Sequence, residues 1–302
     1  LRGEVAALTA AFLWAVSTVI FGRLGKSISP LVLNLAKGCV AIALISLTLV
    51  LRPNVQPELS ATATFWLLLS GAIGIGLGDT AYFKAINGLG ARRALLMESL
   101  APPLAALIAL FFLEERLGTI AWLGIVFTLL GVAWVISERV PASDVASDVV
   151  NSVASPNLRW GVIWGLLAAL GQASGAVMSR GVLADTAIDP LWSGFLRIAA
   201  GLAVLVVLMG WRGQVGDQLR PLRSRQLIPV IIIAAFFGTY LAIWLQQISF
   251  KYTPAGIAQA LLATSPLFVL PIAATLGDRV TGRAVLGVLV AIGGIWLLIS
   301  TT

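Results

Sequence analysis

The chain has 302 residues, of which 59% are hydrophobic and only 11% charged, and its mean hydropathy is +0.99. That balance excludes an ordinary soluble globular domain and points to a polytopic membrane protein. The net charge of +7 does not call for a nucleic-acid partner, because the basic residues stand singly or in pairs in short connections, where they orient a chain in a bilayer.

A hydrocarbon core about 30 Å thick takes roughly 20 apolar residues per helix. Ten such stretches are predicted, at residues 4–22, 30–51, 64–87, 91–113, 118–137, 159–180, 188–211, 226–248, 254–275 and 280–300. Their continuous apolarity favours helices over the short alternating strands of an outer-membrane barrel. The first stretch lacks a small-residue cleavage site behind it and reads as a retained helix. With a single cysteine, Cys39, and no histidine, no disulfide, metal, redox site or cofactor is expected.

In chain order, the first span carries Trp14 and the second carries Lys37 midway along its length. The third contains "GAIGIGLGDTAYF", in which Gly74 and Gly78 form a GxxxG pair suited to close helix approach. Asp79 follows, with Tyr82 three residues on and therefore on the same face. Lys84 is expected to snorkel toward the interface.

The fourth span, "RRALLMESLAPPLAALIALFFLEERLG", places Glu98 one turn before Pro102 and Pro103. Proline inside a helix removes a backbone hydrogen bond. In a bilayer the freed carbonyls are tolerated where protein or a water-filled cavity satisfies them. Kinked fourth and ninth helices are predicted from Pro102, Pro103, Pro266 and Pro271, which are candidate hinges. An ionisable residue at mid-bilayer depth faces the bundle interior with a partner, and for Glu98 the candidates are Lys37 and Arg197. A structural ion pair, or a role in taking a substrate ammonium or a coupling proton, both fit.

The adjacent carboxylates Glu114 and Glu115 point to different helix faces and do not form a catalytic pair. They belong, like Asp278 and Arg279, to a water boundary. No phosphate loop, nucleophile elbow or HExxH pattern occurs, so an enzyme is not expected. Residues 138–158 form a polar linker, "ERVPASDVASDVVNSVASPNL". Beyond it, Gln172 lies in the sixth span and Arg197 midway along the seventh. Tyr240, Trp244 and Gln247 recur at i, i+4 and i+7 on the eighth, which predicts a stripe on the cavity wall. Gln259, Thr264 and Ser265 add polar groups, while Trp160, Trp211 and Trp296 suit an interfacial belt.

The linker falls near mid-chain, and the segments on either side repeat. "LAPPLAALIALFFLEERLG" aligns with "TSPLFVLPIAATLGDRVTG", so that Pro103 meets Pro266, Glu115 meets Asp278 and Arg116 meets Arg279. The register continues through Gly124 with Gly287 and Gly131 with Gly294, and earlier Lys37 meets Arg197. An odd number of spans per half sets the halves in opposite senses. The expected fold is ten helices in two inverted five-helix repeats, 1–137 and 159–302, around a central cavity.

"LTAAFLWAVSTVIFGRLG", "DTAYFKAINGLGARRALLMESLAPPLAALIALFFLEERLG" and "ISFKYTPAGIAQALLATSPLFVLPIAATLGDRV" resemble, in this order and duplicated, the ten-helix EamA-type branch of the drug/metabolite transporter superfamily. The resemblance covers nearly the whole chain and is strongest to YddG-type amino-acid exporters. It implies a multi-pass protein of the bacterial inner membrane that exports small metabolites by alternating access. Two departures stand out: Gln172 where Trp14 aligns in the first half, and acids at Asp79 and Glu98 where relatives often carry neutral residues.

The functional expectation is a secondary transporter of amino acids or similar zwitterions. Lys37, Asp79, Glu98 and Arg197 would read charge, and Trp14, Tyr82, Gln172, Tyr240, Trp244 and Gln247 would complete the site. Expected partners are a small-molecule substrate and the lipid bilayer, with no nucleic acid and a monomer as the working assembly. Efflux of organic cations or drugs is the alternative, and a non-transporting channel or receptor a second one. With the N-terminus inside, five basic residues would face the cytosol and twelve the other side. The charge count thus places both termini outside, whereas the family resemblance implies inside.

Overall fold

The structure, a computed structural model, describes residues 1–24, 30–52, 59–137, 158–184, 186–211, 227–275 and 281–301. Nearly all of the 138–158 linker, Lys26, Arg139, Arg212, Arg220, Arg223, Arg225, Asp278 and Arg279 lie outside the described residues, as does the side chain of Arg23. The described residues form ten helical spans, each long and apolar enough to cross a membrane. They are α1 (Arg2–Leu24), α2 (Pro30–Leu51), α3 (Ala61–Leu89), α4 (Ala91–Glu98 and Ala101–Phe112), α5 (Thr119–Ser137), α6 (Leu158–Leu183), α7 (Pro190–Trp211), α8 (Leu227–Tyr252), α9 (Ala255–Leu262 and Ser265–Thr275) and α10 (Gly282–Ile299).

Two features depart from the predicted elements. α3 and α8 each contain a π-helical segment, Ala72–Gly78 and Phe236–Leu241. These shift the side-chain register within the span, and single π turns of this kind recur at functional sites. α4 and α9 are broken rather than kinked. Each divides into two helices across a two-residue interruption, Ser99–Leu100 and Ala263–Thr264.

Pro102 and Pro103 fall in the first turn of the second half of α4, where a missing N–H costs no helical bond within that half. Pro266 is the second residue of its half-helix and so corresponds to Pro102, one residue from the Pro103 pairing that the sequence alignment gave. Pro271 stands apart from the break, inside the helix with its ring exposed.

Inversion of the halves is written in the packing of α5 on α10. A Cβ on Gly124 would stand 3.0 Å from the Gly294 carbonyl, and one on Gly131 would stand 2.5 Å from that of Gly287. Since Gly124 and Gly131 are the repeat equivalents of Gly287 and Gly294, residue i of one half touches the equivalent of j in the other, and j touches the equivalent of i. This reciprocity is the mark of a two-fold relation. The two helices run antiparallel, so the axis lies across them, in the plane of the bilayer. The π segments obey the same relation: Gly74 and Gly78 of α3 pack on Gly175 and Gly171 of α6, while Gly238 of α8 packs on Ser17 of α1.

Successive spans alternate in direction, so the 113–118, 184–189 and 252–254 connections share one face of the bundle. Here the halves are tied together. Arg180 Nε donates to Glu115 Oε1 at 2.6 Å, and its Nη1 donates to the carbonyls of Phe250 (3.1 Å) and Lys251 (2.7 Å). Glu115 Oε2 accepts the Ala255 N–H at 2.9 Å, and Lys251 Nζ donates to the Ile188 carbonyl at 2.7 Å. The water-boundary reading of Glu115 thus becomes a clasp joining α4, α6, α8 and α9.

Candidate functional site

Between the halves lies a cavity of about 690 Å³, within the range of roughly 300–1,000 Å³ usual for small-ligand pockets. Its lining comes from the middle of the spans and from the half remote from the clasp, including Thr18, Lys37, Leu205, Val135 and Leu270. The clasp therefore seals one face while the cavity extends toward the other. Most of the wall is aliphatic, and the polar groups that interrupt it fall in two places.

The first is built around Asp79, the residue immediately after the α3 π segment. Its Oδ2 accepts from Asn34 Nδ2 at 3.2 Å and its Oδ1 from Gln172 Nε2 at 3.4 Å. Lys37 and Arg197 both act electrostatically on Asp79. Arg197 is only 2% exposed, and its Nε and Nη1 have no hydrogen-bond partner. Close packing of α7 on α3 holds it, since a Cβ on Gly71 would collide with the Arg197 backbone. The guanidinium carbon lies 5.8 Å from the Phe250 ring centroid. Lys37 and Arg197 thus act on Asp79, and Asp79 in turn acts on Glu98, so two cations and two acids line one cavity.

The second place is the break in α4. Glu98 ends its first half-helix and faces the cavity beside Ser99, Ala101 and Pro102. The expected partnership with Lys37 or Arg197 is absent: among the described residues no cation comes within 4.0 Å of the Glu98 carboxylate. Nor, among the described residues, does a cation come within 4.0 Å of Asp79, on which Lys37 and Arg197 act from a greater distance.

Of the other sequence-predicted site residues, Trp14 and Gln172 line the cavity. The Trp14 indole N–H donates to the Gly238 carbonyl at 2.9 Å, in the π segment of α8, where the helical ladder is irregular. Tyr82 is within electrostatic reach of Asp79 and Glu98 but is not part of the cavity wall.

The α8 stripe lies elsewhere. Tyr240 is buried with its hydroxyl 2.8 Å from Thr48 Oγ1, and that Oγ1 donates to the Leu44 carbonyl, which leaves Tyr240 as the donor. Trp244 packs 6.1 Å from the Tyr240 ring and 6.0 Å from the Arg52 guanidinium, toward the clasped face. Gln247 is wholly buried and accepts from Ser193 Oγ at 2.9 Å. The wall carries Thr239, Ile243 and Gln246 instead, the same spacing one residue earlier and so the neighbouring helix face. Pro102 and Pro266 line the cavity, while Pro103 and Pro271 do not. Lys84, near the end of α3, places its Nζ 3.8 Å from the centroid of the Trp164 ring.

Sequence reasoning missed Asn34. It is three residues before Lys37 and on the same helix face, a polar pair midway along an apolar span, and that spacing was the available signal.

A bundle of ten apolar helices around a largely aliphatic cavity, interrupted by a few polar and charged groups, has the make-up of a multi-pass membrane protein. The chain belongs to the EamA-like transporter family, whose model matches it twice, over residues 1–137 and 159–300. No curated protein sequence matches it at a significant level. A solved structure titled "Crystal structure of protein" is similar with a TM-score of 0.76 at 16% identity, covering 98% of this chain and 94% of that one. At that identity the likeness concerns the fold alone.

Proposed function

We propose that the protein is a secondary transporter of the YddG-type branch that exports amino acids, or similarly small zwitterions, across a bacterial inner membrane by alternating access. The observation that carries this reading is the division of charge across one cavity. Arg197, with unpaired and buried N–H groups, and Lys37 supply positive charge suited to a carboxylate, while Glu98 at the break in α4 supplies negative charge with no described cation within 4.0 Å. The halves 1–137 and 159–302 rock as units about the broken spans α4 and α9, and the Glu115–Arg180 clasp holds one of the two end states.

The test is uptake of a panel of radiolabelled amino acids into proteoliposomes by the wild type and by Arg197→Met and Lys37→Met. Losing one partner of a buried, charge-assisted contact costs about 2–5 kcal/mol, so zwitterion uptake at subsaturating substrate should fall by roughly 30-fold or more in Arg197→Met. Saturable, trans-stimulated flux separates a transporter from a channel. If organic cations move and are indifferent to both substitutions while no amino acid does, the exporter reading fails and drug efflux takes its place.

A further inference from the structure

The break in α4 gathers oxygen acceptors with no donor set against them. Pro102 and Pro103 have no N–H, so the carbonyls of Glu98 and Ser99 receive no helical hydrogen bond at i+4. Pro266 does the same to the carbonyl of Leu262, the residue that ends the corresponding half of α9. The two broken spans meet: the second half of α4 packs on the first half of α9, with a Cβ on Gly256 falling 2.9 Å from Ala106 Cα. Glu98, Ser99, Pro102, Leu262, Ser265 and Pro266 all line the same cavity.

Added to these carbonyls are the carboxylate of Glu98 and the hydroxyl oxygen of Ser99, whose proton is already given to the Leu95 carbonyl at 3.1 Å. No described cation is within 4.0 Å of Glu98, and Lys37 and Arg197 act electrostatically on Asp79 from beyond that distance. Free carbonyls at a helix break are tolerated at this depth because they line a cavity, where water or a cation can satisfy them, and a carboxylate there calls for a partner.

We infer that this break is a binding site for a small monovalent cation, held by the Glu98 carboxylate and the carbonyls that the prolines release. Interrupted helices that turn free carbonyls and half-helix C-termini toward a cavity are suited to such an ion. The same ligand chemistry serves an inorganic ion such as sodium and the ammonium group of an organic molecule. The inference rests on the reading of the cavity as a transport site, but it concerns binding and not flux.

The experiment uses the purified full chain in detergent, following the thermal unfolding midpoint and tryptophan emission. Sodium chloride is titrated at constant ionic strength against N-methylglucamine chloride, and methylammonium chloride is titrated in a second arm. A saturable response to sodium that is weakened at least tenfold in Glu98→Gln assigns an inorganic ion. A response to methylammonium alone, with the same dependence on Glu98, assigns an ammonium group.

Pro102→Ala supplies an N–H for the Glu98 carbonyl and should weaken the response without touching the carboxylate, which covers the case of a poorly folded Glu98→Gln. No saturable response to either cation, or an equal response in both variants, overturns the inference. No amino acid enters this assay. Cation binding without amino-acid flux therefore refutes only the exporter reading, and flux without cation binding refutes only this one.

Discussion

The Glu115–Arg180 clasp makes a quantitative prediction about which face of the bundle is shut. Replacing Glu115 by Gln removes the counter-charge from Arg180 at 2.6 Å and weakens the acceptor of the Ala255 N–H at 2.9 Å. Hydrogen bonds to charged groups contribute about 1.5–3 kcal/mol each. Both side chains retain some exposure, 16% and 15%, so water replaces part of the loss, and a net cost of roughly 2–3 kcal/mol is reasonable after that discount. At about 1.4 kcal/mol per factor of ten, the clasped state loses roughly 30- to 150-fold against states open at this face.

The assay is the labelling rate of a cysteine at Ser249, a wholly buried position on α8 next to the clasp, in a Cys39→Ser background with a membrane-impermeant maleimide. Ser249→Cys alone should label slowly, and Glu115→Gln should accelerate it at least tenfold. Arg180→Gln should do the same, and the double variant should add little, because one interaction has been removed twice. Unchanged labelling in Glu115→Gln, or strictly additive single effects, would refute the clasp as the element that closes this face.

Two further substitutions test the packing. Gly131→Ala places a methyl 2.5 Å from the Gly287 carbonyl and the Ala291 nitrogen, whereas Gly293→Ala meets nothing within 4 Å. Overpacking of this kind costs about 1–3 kcal/mol, which should lower the unfolding midpoint by roughly 3–9 °C for Gly131→Ala and leave it nearly unchanged for Gly293→Ala. Equal midpoints would mean that α5 and α10 are not packed as described. Lys84→Gln and Trp164→Leu, combined in a double-mutant cycle, should give a coupling of about 0.5–2 kcal/mol from the cation–ring contact. A coupling near zero would mean that the ring contact contributes nothing to stability.

The ten spans and the repeat were legible because the bilayer imposes a length and an apolarity that leave few alternatives, and because glycines at a helix crossing recur in register. Lys37, Asp79, Glu98 and Arg197 were legible as oddities, since charge at that depth has to be accommodated. Their spacing was not. How near each acid comes to each cation depends on where α2, α3, α4 and α7 cross, and a string of apolar residues does not specify those crossings. The Tyr240–Trp244–Gln247 spacing marks one helix face but not the direction in which that face points, and the cavity takes the neighbouring face of Thr239, Ile243 and Gln246. The breaks were half-visible: the prolines located them, but proline at the start of a new helix and proline in a kink look alike in sequence.

The cavity combines a symmetric scaffold with asymmetric chemistry. The cations keep the two-fold relation, Lys37 on α2 answering Arg197 on α7. The acids do not, because the half-helix that ends at Glu98 in α4 ends at the apolar Leu262 in α9. Trp14 and Gln172 diverge in the same way, one tied to the π segment of α8 and the other to Asp79 beyond the π segment of α3. A duplicated bundle supplies two equivalent broken helices and two equivalent π segments, which makes equivalent motions of the halves available. Placing both acids, Asp79 and Glu98, in the first half makes the two sides of the cavity chemically different even though the scaffold around it repeats.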